Sequence, residues 1–321
     1  MSSAAWLVTG ASGFIGSALL NVLRGTNQGL MIAGRRPLAV GEATPPRWIG
    51  LDLAAPAIDL PAGIETVLHL AGEKRDEALM DEVNHRGAAR LVDAAARAGA
   101  RRFVHLSSVG VYGAPKHAGL VDERRAHRPI NAYERSKDAG ERAVRERCAA
   151  NAMRCIVLQP SNVIGWSAQA RPLLGLVRIV AKGWFRYFGR DEPWVNYVGV
   201  DDVAGALIAA ARADHKDTTC IVNTPVPLHQ MIGWVADELA VSPPRASWPY
   251  SVGAGLAAAG ALGRSVLGRE LPFSPERLQE LTNTTRYDGS AISRELGFGY
   301  PHGIEATVRT LVRRYRSEGR V

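Results

Sequence analysis

The run Thr9-Gly10-Ala11-Ser12-Gly13-Phe14-Ile15-Gly16 stands between a short apolar stretch, Ala4 to Val8, and a helical pattern, Ser17 to Leu23. A strand, a glycine turn and a helix therefore begin the chain. Glycines at 10, 13 and 16 let the main chain turn tightly and let a pyrophosphate approach it. The free N–H groups at the helix start would then receive the negative charge. This outlines a dinucleotide site, although the spacing departs from G-x-G-x-x-G and a purely structural glycine turn reads the same way locally. The rest of the chain decides between the two.

Further β-type runs recur at Gly29 to Ala33, Thr66 to Leu70, Arg102 to Ser107 and Arg154 to Leu158, separated by helical periodicity such as Met80 to Ala98 and Ala132 to Ala150. Such alternation predicts an α/β fold, a doubly wound parallel (Rossmann) sheet with a ligand crevice at the strands' C-terminal ends. The glycine turn, Asp52, Ala71, Ser108 and Asn162 all follow strands and should converge there. Beyond Gly165 the pattern loosens. It leads through Trp166 to Asn196, a helix-like Asp201 to Ala213, a short strand Cys220 to Asn223, and a mostly helical tail rich in proline.

In Tyr133-Glu134-Arg135-Ser136-Lys137, tyrosine and lysine lie four residues apart, on one helix face. Upstream, Leu106-Ser107-Ser108-Val109-Gly110-Val111-Tyr112-Gly113 carries a strand into a serine-bearing turn. With the glycine turn, these segments resemble the extended short-chain dehydrogenase/reductase family, the NAD(P)-dependent epimerase/dehydratase group. The likeness is densest over residues 4 to 165 and continues loosely through Val200-Asp201-Asp202-Val203-Ala204 and Glu295-Leu296-Gly297-Phe298. It implies an NAD(P)-binding Rossmann domain over 1–165, its sheet completed by 197–224, and a discontinuous substrate lobe over 166–196 and 225–321.

The resemblance implies cofactor contacts from Gly10, Ser12, Gly13, Phe14, Ile15 and Gly16 in the turn. It adds Asp52 and Leu53 toward adenine, Leu70, Ala71 and Gly72 after a strand, and Pro160 and Val163 near the nicotinamide. Arg35 and Arg36 follow the second strand, where a carboxylate would bind the ribose 2′-hydroxyl of NAD and arginine can pair with a 2′-phosphate. Two arginines and no carboxylate favour NADP, with NAD the alternative. His69 reads as a packed strand residue.

Tyrosine in water titrates near 10, and an adjacent ammonium lowers that value, which is the part expected of Lys137 beside Tyr133. Lys137 is also expected to hold the nicotinamide ribose, so both residues count as cofactor contacts. Ser108, in register with the family's Ser/Thr, would orient the substrate oxygen while Tyr133 moves the proton and the nicotinamide moves hydride. Asn84 resembles the asparagine that interrupts a family helix, with a supporting role and a proton-relay role equally open. Tyr112 reads as substrate wall or core. Asn162 falls where nucleotide-sugar members hold a substrate diphosphate, whereas Val195 stands where many carry a clamping arginine; Arg186 and Arg190 are nearby substitutes, and Gln159 also replaces a common arginine.

The triad does not separate an NAD(P)-dependent reductase or dehydrogenase, acting on a carbonyl/alcohol pair with a nucleotide sugar among its candidate substrates, from a redox-neutral nucleotide-sugar 4-epimerase. A non-catalytic cofactor-binding regulator is disfavoured by the presence of Tyr133 and Lys137. Cys148, Cys155 and Cys220 form neither a zinc motif nor a disulfide framework, so no metal is expected and the cytoplasm is the natural home. The first strand begins almost at Met1, and no run reaches the roughly 20 apolar residues of a bilayer span. Val252 to Leu262 therefore reads as a packed helix, and no membrane partner is expected. A balance of +8 suits anionic ligands, but no basic run is interleaved with aromatics as nucleic-acid binding requires. A homodimer through Met80 to Ala98 and Ala132 to Ala150 is expected from the resemblance.

Overall fold

The computed structural model describes residues 5–38, 46–113, 119–167, 173–214, 217–267 and 274–321. Seven strands, β1 (Ala5–Thr9), β2 (Leu30–Gly34), β3 (Arg47–Gly50), β4 (Ile64–His69), β5 (Arg102–Leu106), β7 (Arg154–Pro160) and β11 (Thr218–Val222), form one sheet. Their spatial order is β3, β2, β1, β4, β5, β7, β11, and every pairing is parallel. The order reverses between β1 and β4, which opens a crevice at their C-terminal ends.

Because both faces are covered, the inner strands are apolar at nearly every position rather than alternating. On one face Trp6, Val8, Leu68, Val104 and Ile156 pack under α1 (Phe14–Leu23) and α6 (Val200–Arg212). On the other Leu7, Val67, Phe103, Cys155 and Val157 meet Leu91, Val92, Ala95, Val144 and Cys148. Those residues lie on α3 (Ala88–Arg97) and α4 (Ala132–Ala150), so the apolar stripes of these helices face the sheet.

The expected continuous helix from Met80 to Ala98 is broken. A short α2 (Glu77–Asp81) runs through a π-helical turn, Glu82–Gly87, into α3. The extra residue per turn reorients Asn84, and Gly87 fits there because a Cβ would stand 2.4 Å from the Leu53 carbonyl oxygen.

After Gly165 the chain builds smaller layers. The strands β8 (Asn162–Ile164), β10 (Trp194–Gly199) and β12 (Thr224–Pro227) form a three-stranded sheet. It packs with α5 (Leu174–Ala181), α7 (Leu228–Leu239) and α11 (Ile304–Ser317) around Val177, Val195, Ile232, Val308 and Tyr315. β6 (Leu120–Val121) pairs with β14 (Arg286–Tyr287), beyond which lies α10 (Ala291–Leu296). β9 (Tyr187–Phe188) pairs with β13 (Ser247–Trp248), next to α8 (Tyr250–Leu267) and α9 (Pro275–Leu281).

The buried Asn223 joins these layers: its amide donates to Asn196 Oδ1 (3.1 Å) and the Tyr287 carbonyl (2.8 Å), and it accepts from Ser161 Oγ (2.6 Å). The buried Asp202 carboxylate accepts from the His302 and Gly303 amides, both at 3.0 Å, and so fixes the entry to α11. α8 departs from the expected packed helix. Gly253 and Ala257 are buried, while Tyr250, Val252 and Leu256 are exposed.

Candidate active site

The glycine turn closes on the strand beside it. Gly10 has φ +72°, and a Cβ there would lie 2.6 Å from the Ala71 amide nitrogen; one on Gly16 would lie 2.2 Å from the Gly10 carbonyl oxygen. Only glycine fits either position. Gly13 caps α1 without any side-chain hydrogen bond, and Ser12 and Gly13 are exposed, so no side chain occupies the helix start, as an anion site there would require. Phe14 and Ile15 are half-buried against the core, and the Phe14 ring reaches within 3.2 Å of where a Gly165 Cβ would stand. The end of β8 thereby meets the glycine turn, with Pro160 buried, Val163 packed against the core and Asn162 exposed.

Thr9 organises the other wall. Its hydroxyl accepts from the Ala71 amide (3.2 Å) and shares a 2.8 Å hydrogen bond with His69 Nδ1, while its carbonyl accepts from the Leu70 amide. His69 is buried and stacks on His105 with centroids 5.4 Å apart; burial, then the Lys137 charge, brings its pKa down to about 3. It is thus neutral and part of the sheet.

At the rim, Arg35 and Arg36 are exposed just past β2, and the Arg36 carbonyl accepts from the Trp48 indole at 3.2 Å. Asp52 is exposed and its side chain accepts from the Ala54 amide (3.0 Å), whereas the Leu53 side chain is in the core and its carbonyl accepts from Arg90 (2.7 Å).

α4 begins with a cap that sets the start of the helix carrying Tyr133 and Lys137. Asn131 Oδ1 accepts from the Glu134 amide (2.9 Å), and Glu134 Oε2 accepts from the Ile130 amide (2.8 Å). Glu134 Cγ stands 3.0 Å from where a Gly110 Cβ would be, which seats this first turn, and Tyr133 with it, against the serine turn. Ser108 caps that turn, its hydroxyl accepting from the Gly110 amide at 3.1 Å. Ser107 is buried in the strand end.

Lys137 is buried one turn further along and donates from Nζ to the Leu106 carbonyl at 2.6 Å. Burial brings its ammonium down to about 8, opposed by Glu141. Tyr133 departs from the expected lowering: burial, followed by the Glu134 charge, pushes the phenol up. Desolvation disfavours the phenolate, and the Lys137 ammonium is engaged by the Leu106 carbonyl instead.

Asn84 is buried with all its amide groups engaged. Oδ1 accepts from the Glu73 amide (2.7 Å), while Nδ2 donates to the Glu73 carbonyl (2.7 Å) and to Ser136 Oγ (2.9 Å). It clips the loop after Gly72 to the helix that carries Tyr133.

Sequence reasoning passed over two acids. The Glu73 carboxylate accepts from the amides of Lys74, Arg75 and Asp76 at 2.8, 2.8 and 3.2 Å, which hold it below the usual range, with Arg35 adding to the effect. Glu141, four residues past Lys137, accepts from Gln159 Nε2 (2.9 Å), and Gln159 Oε1 accepts from the Tyr112 hydroxyl (2.6 Å). Tyr112 is therefore core. The i, i+4 spacing from Lys137 was the available signal for Glu141. Val195 is buried, Arg186 lies over the Trp248 ring at 5.9 Å, and Arg190 lines a separate cavity beside Trp248.

A Rossmann crevice with an uncapped glycine cradle and a Ser-Tyr-Lys set points to one class of protein, and a sequence profile of the NAD dependent epimerase/dehydratase family matches residues 6–223. The chain belongs to that family. It is an NAD(P)-dependent enzyme of the epimerase, dehydratase and reductase kind. The N-acetyl-α-D-glucosaminyl-diphospho-ditrans,octacis-undecaprenol 4-epimerase of Escherichia coli O157:H7 is 24% identical over 317 residues, 94% of each chain. A UDP-glucose 4-epimerase of Mycolicibacterium smegmatis is 30% identical over 230 residues, 64% of this chain and 72% of that one. Among solved structures, MoeE5 in complex with UDP-glucose and NAD superposes with a TM-score of 0.69 at 23% identity, covering 98% of this chain and 99% of that chain, a likeness of fold.

The residues present fit a nicotinamide dinucleotide. The turn is sterically closed to side chains at Gly10 and Gly16, and the first turn of α1 carries no carboxylate. Among the described residues no group of three or more His, Cys, Asp or Glu could hold a metal ion, and no helix is long and apolar enough to cross a membrane.

Proposed function

We propose that this enzyme interconverts a carbonyl and a secondary alcohol on a cyclic, diphosphate-linked substrate, with NADP preferred over NAD. The observation that supports this reading is the seating of the α4 first turn on the Ser108–Gly110 turn, with Glu134 Cγ 3.0 Å from where a Gly110 Cβ would be and Lys137 buried one turn further along against the Leu106 carbonyl. Bound nicotinamide would supply or accept hydride. Ser108 would orient the substrate oxygen, Tyr133 would move its proton, and Lys137 would hold the ribose and the local charge. A phenol raised by burial is protonated at neutral pH, the form a reduction needs. Ser12, Gly13 and the α1 amides would hold the pyrophosphate, Asp52 and Leu53 the adenine, Leu70, Ala71, Gly72, Pro160 and Val163 the walls, and Asn162 the substrate.

Arg35 and Arg36 support NADP. Loss of a charge-assisted pair to a 2′-phosphate is worth roughly 1.5 to 3 kcal/mol. Arg35→Ala or Arg36→Ala should therefore weaken NADPH selectively in a fluorescence titration. Equal curves for NADPH and NADH in the unsubstituted protein would remove the preference.

A second reading, a redox-neutral 4-epimerase, is favoured by the full-length relative, whose name describes a sugar carried on undecaprenyl diphosphate. Incubation with nucleotide-diphosphate sugars, polyprenyl-diphosphate sugars and uncharged cyclic ketones separates the two. Net NADPH consumption supports the reductase, and inversion without consumption supports the epimerase. Turnover of uncharged ketones alone would reject a diphosphate carrier. The proposal extends to a lobed domain division at about residue 165, a homodimer through α3 and α4, and a cytoplasmic home in which Cys148, Cys155 and Cys220 stay as thiols.

A further inference from the structure

We propose that the outer face of α8 and the aromatic edge before it dock this enzyme on an anionic lipid bilayer, without spanning it. The helix is inverted relative to one that faces water. Gly253, Ala257 and Gly260 face inward, Gly253 leaving room for Phe188 and Leu278 (2.7 and 2.8 Å from a would-be Cβ) and Ala257 buried with them. Three of its large apolar residues point outward: Tyr250 is 55% exposed, Leu256 44% and Val252 42%. From Tyr250 to Gly263 the sequence carries no Asp, Glu, Lys, Arg or His. A helix in contact with water carries charge on that side.

The surroundings match the interface of a membrane rather than another dry protein surface. Trp248 and Trp184 are exposed, and each carries a cation: the Arg186 guanidinium lies 5.9 Å from the Trp248 ring, and the Lys182 ammonium 4.9 Å from the Trp184 ring. Indole and phenol rings settle at the headgroup level, and cations beside them meet lipid phosphates. Between Glu238 and Glu270 the chain has no acidic residue, and Arg245 is exposed within that run. A cavity of about 680 Å³ opens at the same edge, lined by Arg190, Trp248 and Tyr250, with Asp191 its one carboxylate. This arrangement of apolar ridge, aromatic shoulder and flanking cations is complementary to phosphate headgroups over hydrocarbon. An interfacial helix needs no span of roughly 20 residues, and the proposal departs here from the sequence-based expectation of no membrane partner. The inference stands whether the substrate is carried by a nucleotide or by a lipid.

The test is flotation of the full chain with unilamellar vesicles of phosphatidylcholine, with and without phosphatidylglycerol. The protein should float with the anionic vesicles, bind neutral ones weakly, and be released by high salt. Leu256→Asp with Val252→Asp should weaken binding by roughly ten-fold or more, since a charge replaces inserted apolar area. NADPH titration and near-UV circular dichroism check that this variant is folded. Should it fail to fold, Arg186→Glu with Lys182→Glu, placed off the helix, should still abolish the preference for anionic lipid. Absence of flotation with anionic vesicles would overturn the proposal, as would flotation indifferent to both substitution pairs. A concentration-dependent dimer lost in Leu256→Asp would assign the face to a second copy and overturn it equally.

Discussion

Lys137 and Tyr133 are both moved by burial, in opposite senses along the pH scale. The ammonium comes down to about 8 and the phenol goes up. In the proposed reduction both groups act protonated, so the charged lysine is available below about 8 and lost above it. kcat/KM should be level at neutral pH and fall as pH rises through that value. In Lys137→Arg, whose side chain keeps its charge, the fall should move upward even though turnover drops with the poorer fit. A limb that stays in place would belong to another group. Tyr133→Phe keeps the ring and removes the proton; turnover should fall about 10²- to 10⁴-fold while NADPH titrates as before. Wild-type rates would demand a different acid.

At the scale of elements, the site depends on how closely two helices approach. The π-helical turn and α4 touch at Gly140, where a Cβ would lie 2.1 Å from the Asn84 carbonyl oxygen. Gly140→Ala must push α4 away or distort the turn. The Asn84 amide then loses its 2.9 Å bond to Ser136, three residues from Tyr133. Overpacking of this kind costs roughly 1 to 3 kcal/mol. Urea unfolding should show that loss, and kcat should fall more than the affinity for NADPH. Unchanged stability and rate would mean that the two helices separate without consequence. The interruption of the helix was legible only as a resemblance at Asn84. Periodicity from Met80 to Ala98 reads as one helix because a π turn inserts a residue without changing composition.

Across the whole molecule, the sheet buries two imidazoles beneath Lys137. Burial and then the Lys137 charge lower His69 to about 3, and the same causes in the same order hold His105 well below its usual value. In the unfolded chain both titrate near 6.5. The unfolded state therefore takes up protons first as pH falls, and stability declines from about pH 6.5 toward pH 3. The slope is about 1.4 kcal/mol per pH unit for each histidine. Above pH 7 these residues contribute no slope. Urea midpoints measured across that range check this, and His105→Leu should flatten the acid decline. An equally steep decline in that variant would place its origin elsewhere.

The sequence by itself determined what is local or periodic. Gly10 and Gly16 specify a turn because a Cβ at either would collide with neighbouring backbone, the apolar runs specify buried parallel strands, and Tyr133 and Lys137 share a face by helical arithmetic. The family resemblance added Ser108 and Asn84 to that outline. Tertiary structure decided wherever a polar group needed a distant partner. Asn84 meets Ser136 across 52 residues, Tyr112 meets Gln159 across 47, and Ser161 meets Asn223 across 62. Neither side of such a bond carries a mark of the other, since a buried amide or hydroxyl can be satisfied by any acceptor the fold delivers. It also decided the protonation of Tyr133 and the orientation of α8. The pKa of Tyr133 follows how much water the fold removes from it. Composition alone does not tell an apolar helix with small residues inward from one with large residues inward; that depends on Phe188 and Leu278 filling the space beside Gly253.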